Sequence, residues 1–185
     1  GVGFILVAGK RVGFKSRLLV REAMNMENGK GIVRLVKSIL LMTLCFEGAG
    51  ALLSFLVFVQ DHPPLEAIGI SIFHSIAAFN NSGFYIQNNL LLNLTTAVLI
   101  IFGGLGFLVI LDILKKRSFR ALALHSKVVI VMSAVLILLG TLLLKATENV
   151  TWLGAFFQSV SARTAGFSTY PIGSFTDAGL FVLIL

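Results

Sequence analysis

The chain alternates apolar runs with short polar breaks, and the runs fall into two length classes. Residues 38–59 and 91–114 are each long enough for a helix that crosses a bilayer, which takes about 20 residues. Residues 128–144 form a slightly shorter uncharged run, which we also predict to span. The runs 64–79 and 151–162 are too short to cross, and each ends at a polar break. They predict re-entrant helices that enter the membrane and turn back.

Apolar residues also stand at both ends of the chain. Residues 1–8 have the composition of the last turns of a membrane helix, and residues 175–185 that of the first turns of another. The chain opens on Gly1 rather than on methionine. We therefore expect it to be a piece of a longer protein.

The two short runs and their polar breaks form a repeat. The segment FHSIAAFNNSGF (73–84) aligns without gaps with FFQSVSARTAGF (156–167), which places Phe73 on Phe156 and makes the closing Gly-Phe pairs coincide. GVGF and GLGF also recur, each followed by a basic connector, a span, an outside turn and a short run. The repeat predicts units of helix, pore loop and helix that share one orientation, unlike the inverted repeats of many transporters.

Composition places the chain in the membrane class, because 57% of its residues are hydrophobic and only 12% are charged. A single cysteine excludes a disulfide framework. The net charge is +7, but 13 of the 15 Lys and Arg lie within residues 10–37 and 115–127. That clustering follows the positive-inside rule and predicts two cytoplasmic connectors. Because no nucleic-acid-binding module accompanies the charge, we expect no nucleic-acid partner.

The repeated unit, with NNSGF in one loop and RTAGF in the other, resembles the Trk/Ktr/HKT superfamily of potassium transporters. The similarity is closest to the bacterial Ktr/Trk pore-forming membrane subunit. SARTAGFST is close to that family's third-loop pattern, and AFNNSGF to its second, where alanine is commoner than Ser82. The resemblance implies an all-α membrane protein with four potassium-channel-like helix–pore loop–helix units around one pore. Each unit would supply one filter glycine.

On this resemblance the chain covers the end of one unit, a second unit and most of a third. The expected divisions are 1–8 as the end of the first unit's inner helix, 9–37 as a cytoplasmic connector, 38–114 as the second unit, 115–127 as a cytoplasmic connector, and 128–185 as the truncated third unit.

The two loops carry the predicted ion filter. A cation that crosses a membrane needs protein oxygens in place of its water, and backbone carbonyls usually supply them. Glycine tolerates a positive φ that can turn carbonyls toward the pore axis. We therefore predict Gly83 and Gly166 as filter residues whose carbonyls hold a potassium ion, with neighbouring carbonyls from Asn80, Asn81, Ser82, Arg163, Thr164 and Ala165. The short helices would aim their partly negative C-terminal ends at the ion. The alternative is a pair of loops that only pack.

Three polar side chains within the apolar regions need partners, because burying an unpaired charge in a membrane is costly. We expect Arg163 to point behind the filter and brace the loop against carbonyls or a carboxylate; the alternative places it near the ion, where it would weaken binding. Glu47 is expected to accept hydrogen bonds from a pore helix or to pair with Arg163, or to be a protonated structural carboxyl. His74 is expected to pack with one hydrogen bond.

The predicted function is uptake of potassium, with or instead of sodium, through a pore in the bacterial plasma membrane. The alternative is a carrier-type permease with a midplane binding site, which would need inverted repeats. An intramembrane hydrolase using Ser82 and His74 lacks the usual nucleophile turn, so we expect no enzyme.

The resemblance also implies partners. Such subunits pair as homodimers in the lipid bilayer and dock a cytoplasmic ring of nucleotide-binding regulatory subunits. The sequence contains no nucleotide motif, so ATP, ADP or NAD would belong to that ring, and we expect no cofactor in this chain. Potassium or sodium would be cargo.

Overall fold

The computed structural model describes residues 32–84, 89–171, 173 and 175–184, and these residues are mostly helical. The predicted all-α class is confirmed for this part of the chain, which contains no β-strand beyond an isolated bridge at Ser168. Its α-helices are α1 (Ile32–Phe58), α2 (Pro64–Phe79), α3 (Leu90–Leu105), α4 (Phe107–Lys116), α5 (Leu124–Thr147), α6 (Trp152–Thr164) and α7 (Asp177–Ile184), with a 3₁₀ turn at Phe119–Ala121. The predicted helix end at 1–8 and residues 9–31 of the first connector lie outside the described residues.

The chain divides into two compact units, residues 1–46 and 47–185. The described part of the first unit is the beginning of α1, where the Ser38 hydroxyl donates to the Arg34 carbonyl at 2.9 Å. The second unit contains the rest of α1, both short helices and the loops that follow them.

Two of the described helices are long and apolar enough to cross a membrane, Arg34–Phe58 in α1 and α5. The short helix α2 has the bounds that the sequence predicts, and α6 extends two residues further than predicted, to Thr164. Pro64 occupies the first turn of α2, where its missing N–H leaves no hydrogen bond unmade. The Thr151 hydroxyl caps α6 by accepting from the Gly154 N–H at 3.0 Å.

The predicted span over 91–114 is broken in the structure. Helix α3 ends at Leu105, α4 begins at Phe107, and the two are bent by 97°. Gly106 lies between them with a φ of 84° and a ψ of 147°, a conformation that interrupts the helix and that glycine adopts without a steric penalty.

The two short helices pack on their preceding helices through equivalent serines. Ser75 of α2 lies against Gly50 of α1, and Ser159 of α6 lies against Gly140 of α5. Each hydroxyl also donates to a carbonyl of that preceding helix, at 2.6 and 2.9 Å. The absence of a side chain at each glycine is what permits this close approach.

These contacts correct the gapless alignment of the two repeats. Ser75 and Ser159 are 84 positions apart, whereas the loop glycines at 83 and 166 are 83 positions apart. The segment from Ser75 to Gly83 is therefore one residue longer than its counterpart from Ser159 to Gly166. In the helices Phe73 corresponds to Phe157 rather than to Phe156.

Candidate ion-filter site

The loops after α2 and α6 lie against each other at their glycines. A Cβ atom at Gly83 would come within 2.5 Å of the Gly166 carbonyl oxygen and 2.6 Å of the Ala165 oxygen. Just beyond the glycines, the Ser168 N–H donates to the carbonyl of Phe84 at 3.2 Å. The structure thus brings together the two segments that the sequence predicts as filter loops.

Aromatic side chains pack beside this contact. The rings of Phe84 and Phe167 meet edge to face at 6.1 Å, and Phe73 lies 5.3 Å from Phe84. His74 packs on Phe167 at 5.8 Å, and Phe167 is 1% exposed. The phenylalanine of each Gly-Phe pair therefore fixes its loop to the other loop and to α2.

His74 is buried and makes a single described hydrogen bond, as the sequence predicts. Its Nε2 lies 2.8 Å from the Thr96 hydroxyl oxygen. The Thr96 hydroxyl in turn donates to the Leu92 carbonyl at 2.7 Å. Because one hydroxyl has one hydrogen, the imidazole Nε2–H donates to Thr96. This assigns His74 to the contact between α2 and α3.

The first loop leaves its helix at Asn81, which has a φ of 56°. Its N–H donates to the Ala78 carbonyl at 3.2 Å, and the Ser82 N–H donates to the Ala77 carbonyl at 2.8 Å. These two bonds form a Schellman-type helix end, in which asparagine is the usual substitute for glycine. Gly83 comes two residues later and lies outside the left-handed region.

The second loop makes its left-handed turn at the glycine itself. Gly166 has a φ of 71°, and its N–H donates to the Ser161 carbonyl at 3.0 Å. The buried Ser161 hydroxyl donates to the Phe167 carbonyl at 2.5 Å and fixes the chain beyond the turn. The predicted need for positive φ therefore applies to Gly166, whereas Gly83 is required by close approach to the other loop.

The polar residue at the end of each short helix reaches back to the preceding long helix. Asn80 donates to the Glu47 carboxylate at 3.2 Å and to the Ile76 carbonyl at 2.8 Å. Arg163 donates from Nη1 to the Ser133 hydroxyl of α5. The alternative ion pair between Glu47 and Arg163 is not among the salt bridges of the described residues.

Two other nitrogens of Arg163, Nε and Nη2, are buried and have no acceptor among the described residues. The Nη2 atom would lie 2.8 Å from a Cβ at Gly104 of α3. The guanidinium thus lies between α6 and its neighbours α3 and α5. Whether it braces the loop remains a prediction.

A pair of glycines in α3, which the sequence did not single out for the site, lies at the ends of both short helices. A Cβ at Gly103 would overlap the Phe79 carbonyl, the last of α2, and one at Gly104 would lie 3.4 Å from Thr164, the last residue of α6. A Gly-Gly pair inside a span is itself a signal of close helix approach. The part of the chain that the structure covers has no group of three or more His, Cys, Asp or Glu arranged to hold a metal.

No protein-family model matches the chain. It is similar over nearly its whole length to curated bacterial proteins. It is 34% identical over 96% of its residues to Ktr system potassium uptake protein B of Vibrio alginolyticus, and 32% identical over 100% to the protein of that name from Bacillus subtilis. It is 32% identical over 97% to potassium/sodium uptake protein NtpJ of Enterococcus hirae.

The chain spans about half the length of these relatives, between 44% and 48% of each. The resemblance to the Trk/Ktr/HKT superfamily is confirmed, and the coverage is consistent with a piece of such a protein. The relatives are named as uptake proteins, which supports the expectation that this chain is not an enzyme. Together with the apolar helices, they support a membrane protein.

Proposed function

We propose that the chain forms part of the pore of a bacterial potassium-uptake protein, in which Gly83 and Gly166 supply two of four filter positions. The observation that carries the proposal is the contact between the two loops, where Gly83 lies against the carbonyls of Gly166 and Ala165. The names of the relatives support potassium as the cargo, and the name of NtpJ adds sodium as a second candidate.

In this proposal the loops replace the water molecules that hydrate the ion. Carbonyl oxygens do this without a fixed charge, so that the ion binds and still leaves. In the proposal the carbonyls come from the segments 80–83 and 163–166. Because α2 and α6 both end at these loops, their partly negative C-terminal ends add a favourable potential for a cation. Irregular backbone at membrane depth is tolerated where it lines such a water-filled path.

The remaining filter positions would come from units of the whole protein that this chain does not include. In the same proposal the protein is a multi-pass protein of the plasma membrane and pairs as a homodimer. Its cytoplasmic side carries the basic connectors and docks a nucleotide-binding regulatory ring. Any ATP, ADP or NAD would bind to that ring.

The test replaces each loop glycine by serine in the complete protein and measures potassium and sodium uptake in a host that lacks its own potassium uptake. Gly83→Ser and Gly166→Ser should each lower the preference for potassium over sodium. Gly69→Ser is the matched control, because Gly69 lies on α2 with open space around its Cβ position. The amount of folded protein in the membrane is measured for all three variants. Unchanged potassium uptake and selectivity in both loop variants would contradict the filter assignment.

A further inference from the structure

Helix α4 follows α3 and runs nearly at right angles to it. The bend at Gly106 is 97°, so α4 runs close to the membrane plane when the axis of α3 lies along the membrane normal. The Asp112 carboxylate of α4 accepts from the Ala123 N–H at 2.8 Å, directly before α5 begins. Since α5 is a candidate span, this contact places α4 at the level where that span enters the bilayer.

The side chains of α4 are apolar on two faces. Val109 and Ile110 are 1% and 2% exposed and pack inward. Phe107, Leu108 and Leu114 face outward, and Leu108 and Leu114 are 51% and 56% exposed. A helix that met only water would keep polar residues on its outer face. An apolar outer face at this level is suited to the boundary between headgroups and acyl chains.

Basic side chains adjoin this outer apolar face. The exposed cations are Lys115, Lys116, Arg117 and Arg120, and Phe119 between them is 51% exposed. Asp112, the one acidic residue between Gly106 and Ala123, already pairs with Lys116 at 3.0 Å. The cations at 115, 117 and 120 have no acidic partner among the described residues.

We propose that this α4 surface, made of the outward residues of 107–120, is an interfacial helix that binds anionic phospholipid headgroups. Its apolar side chains enter the acyl boundary, and Lys115, Arg117 and Arg120 contact lipid phosphates. Two features select lipid over a protein partner. The surface adjoins a membrane span, and its cations flank apolar side chains at the depth where headgroups lie. Each basic residue near an anionic surface favours binding by about fivefold.

The test uses a tryptophan reporter in the complete protein, reconstituted in vesicles. Trp152 is the only tryptophan of this chain, and it and any others of the complete protein are replaced by phenylalanine. Leu114→Trp then places the reporter on the α4 surface. Vesicles contain phosphatidylcholine with a minority of phosphatidylglycerol, and bromines are carried on the acyl chains of one lipid or the other. The matched reporter is Leu138→Trp, at a side chain that is 63% exposed in the middle of α5.

At equal mole fractions of brominated lipid, the reporter at position 114 should be quenched more by phosphatidylglycerol than by phosphatidylcholine. The reporter at position 138 should be quenched equally by both. Lys115→Gln, Arg117→Gln and Arg120→Gln together should abolish the preference at 114, and this set leaves the pair of Lys116 with Asp112 intact. The charge-preserving set Lys115→Arg, Arg117→Lys and Arg120→Lys should retain it.

Three results would overturn the proposal. No quenching at 114 by either lipid would mean that the surface faces water or a protein. Equal quenching by the two lipids would reduce it to an apolar contact with the bilayer. A preference that survives the glutamine substitutions would show that Lys115, Arg117 and Arg120 do not bind the lipid headgroups. None of these readouts requires ion transport, so the proposal stands or falls separately from the proposed function.

Discussion

The loops after α2 and α6 end in the same Gly-Phe pair, but their glycines meet different physical demands. In the second loop Gly166 makes the left-handed turn that ends the helix, with a φ of 71°. In the first loop Asn81 makes that turn, and Gly83 is free to lie flat against the other loop's carbonyls. One repeated residue therefore supports conformation in one loop and close packing in the other.

The polar residues before the glycines differ in the same way. Asn80 and Arg163 both reach back to the long helix of their own repeat. Asn80 is neutral and meets the carboxylate of Glu47, whereas Arg163 is charged and meets only a hydroxyl among the described residues. The repeat thus preserves the place of this contact, while the chemistry of the contact differs between the two copies.

The two glycines of α3 should differ most in how much an added methyl group destabilises the protein. Gly103→Ala would push a methyl group into the Phe79 backbone carbonyl, which cannot move without displacing the end of α2. Overpacking of this kind costs about 1–3 kcal/mol. At Gly104 the nearest atom is the tip of the flexible Arg163 side chain, so Gly104→Ala should cost less.

The measurement is the midpoint of thermal unfolding of the purified protein. Gly69→Ala is the control, since open space at that position leaves only the gain in helix propensity, up to about 1 kcal/mol. A Gly104 variant less stable than the Gly103 variant would contradict the packing described for α3.

The two loop glycines should also differ in whether asparagine or alanine is the better tolerated substitution. At Gly166 asparagine should be tolerated better than alanine, because asparagine accepts a left-handed φ and only the Gly83 Cα lies near, at 3.9 Å. Alanine there should cost about 1–2 kcal/mol of stability. At Gly83 the order should reverse, because the larger side chain overlaps the opposing carbonyls more. Thermal midpoints of the four variants test both orders, and the same order at both positions would remove the distinction between the glycines.

The smallest effect concerns the polar partner of the first loop. Glu47→Gln keeps an oxygen that can accept from Asn80, so it should be close to neutral. Glu47→Ala removes that acceptor and should lower stability by about 0.5–1.5 kcal/mol, since Asn80 still has the Ile76 carbonyl. Folded protein should fall in the alanine variant while ion preference stays the same. A stable alanine variant with altered preference would instead assign Glu47 to the ion path.

The features that could be predicted from the sequence are those that neighbouring residues determine. Two prolines and the NNSG break define α2, and the apolar runs predict the ends of α1 and α5 to within six residues. The break at Gly106 was missed because three glycines stand in GGLGF and their order does not indicate which takes a positive φ. The contacts of Gly83 and Gly103 depend on segments distant in sequence. The extra residue in the first repeat was missed because the Gly-Phe pairs align without it.

If the two loops line one ion path, a bound ion should lie between them. The measurement is anomalous diffraction from crystals of the complete protein soaked in rubidium, which stands in for potassium. We expect a rubidium peak in direct contact with the carbonyl oxygens of Gly83 and Gly166. Rubidium sites elsewhere along the protein, with none at these two loops, would contradict it.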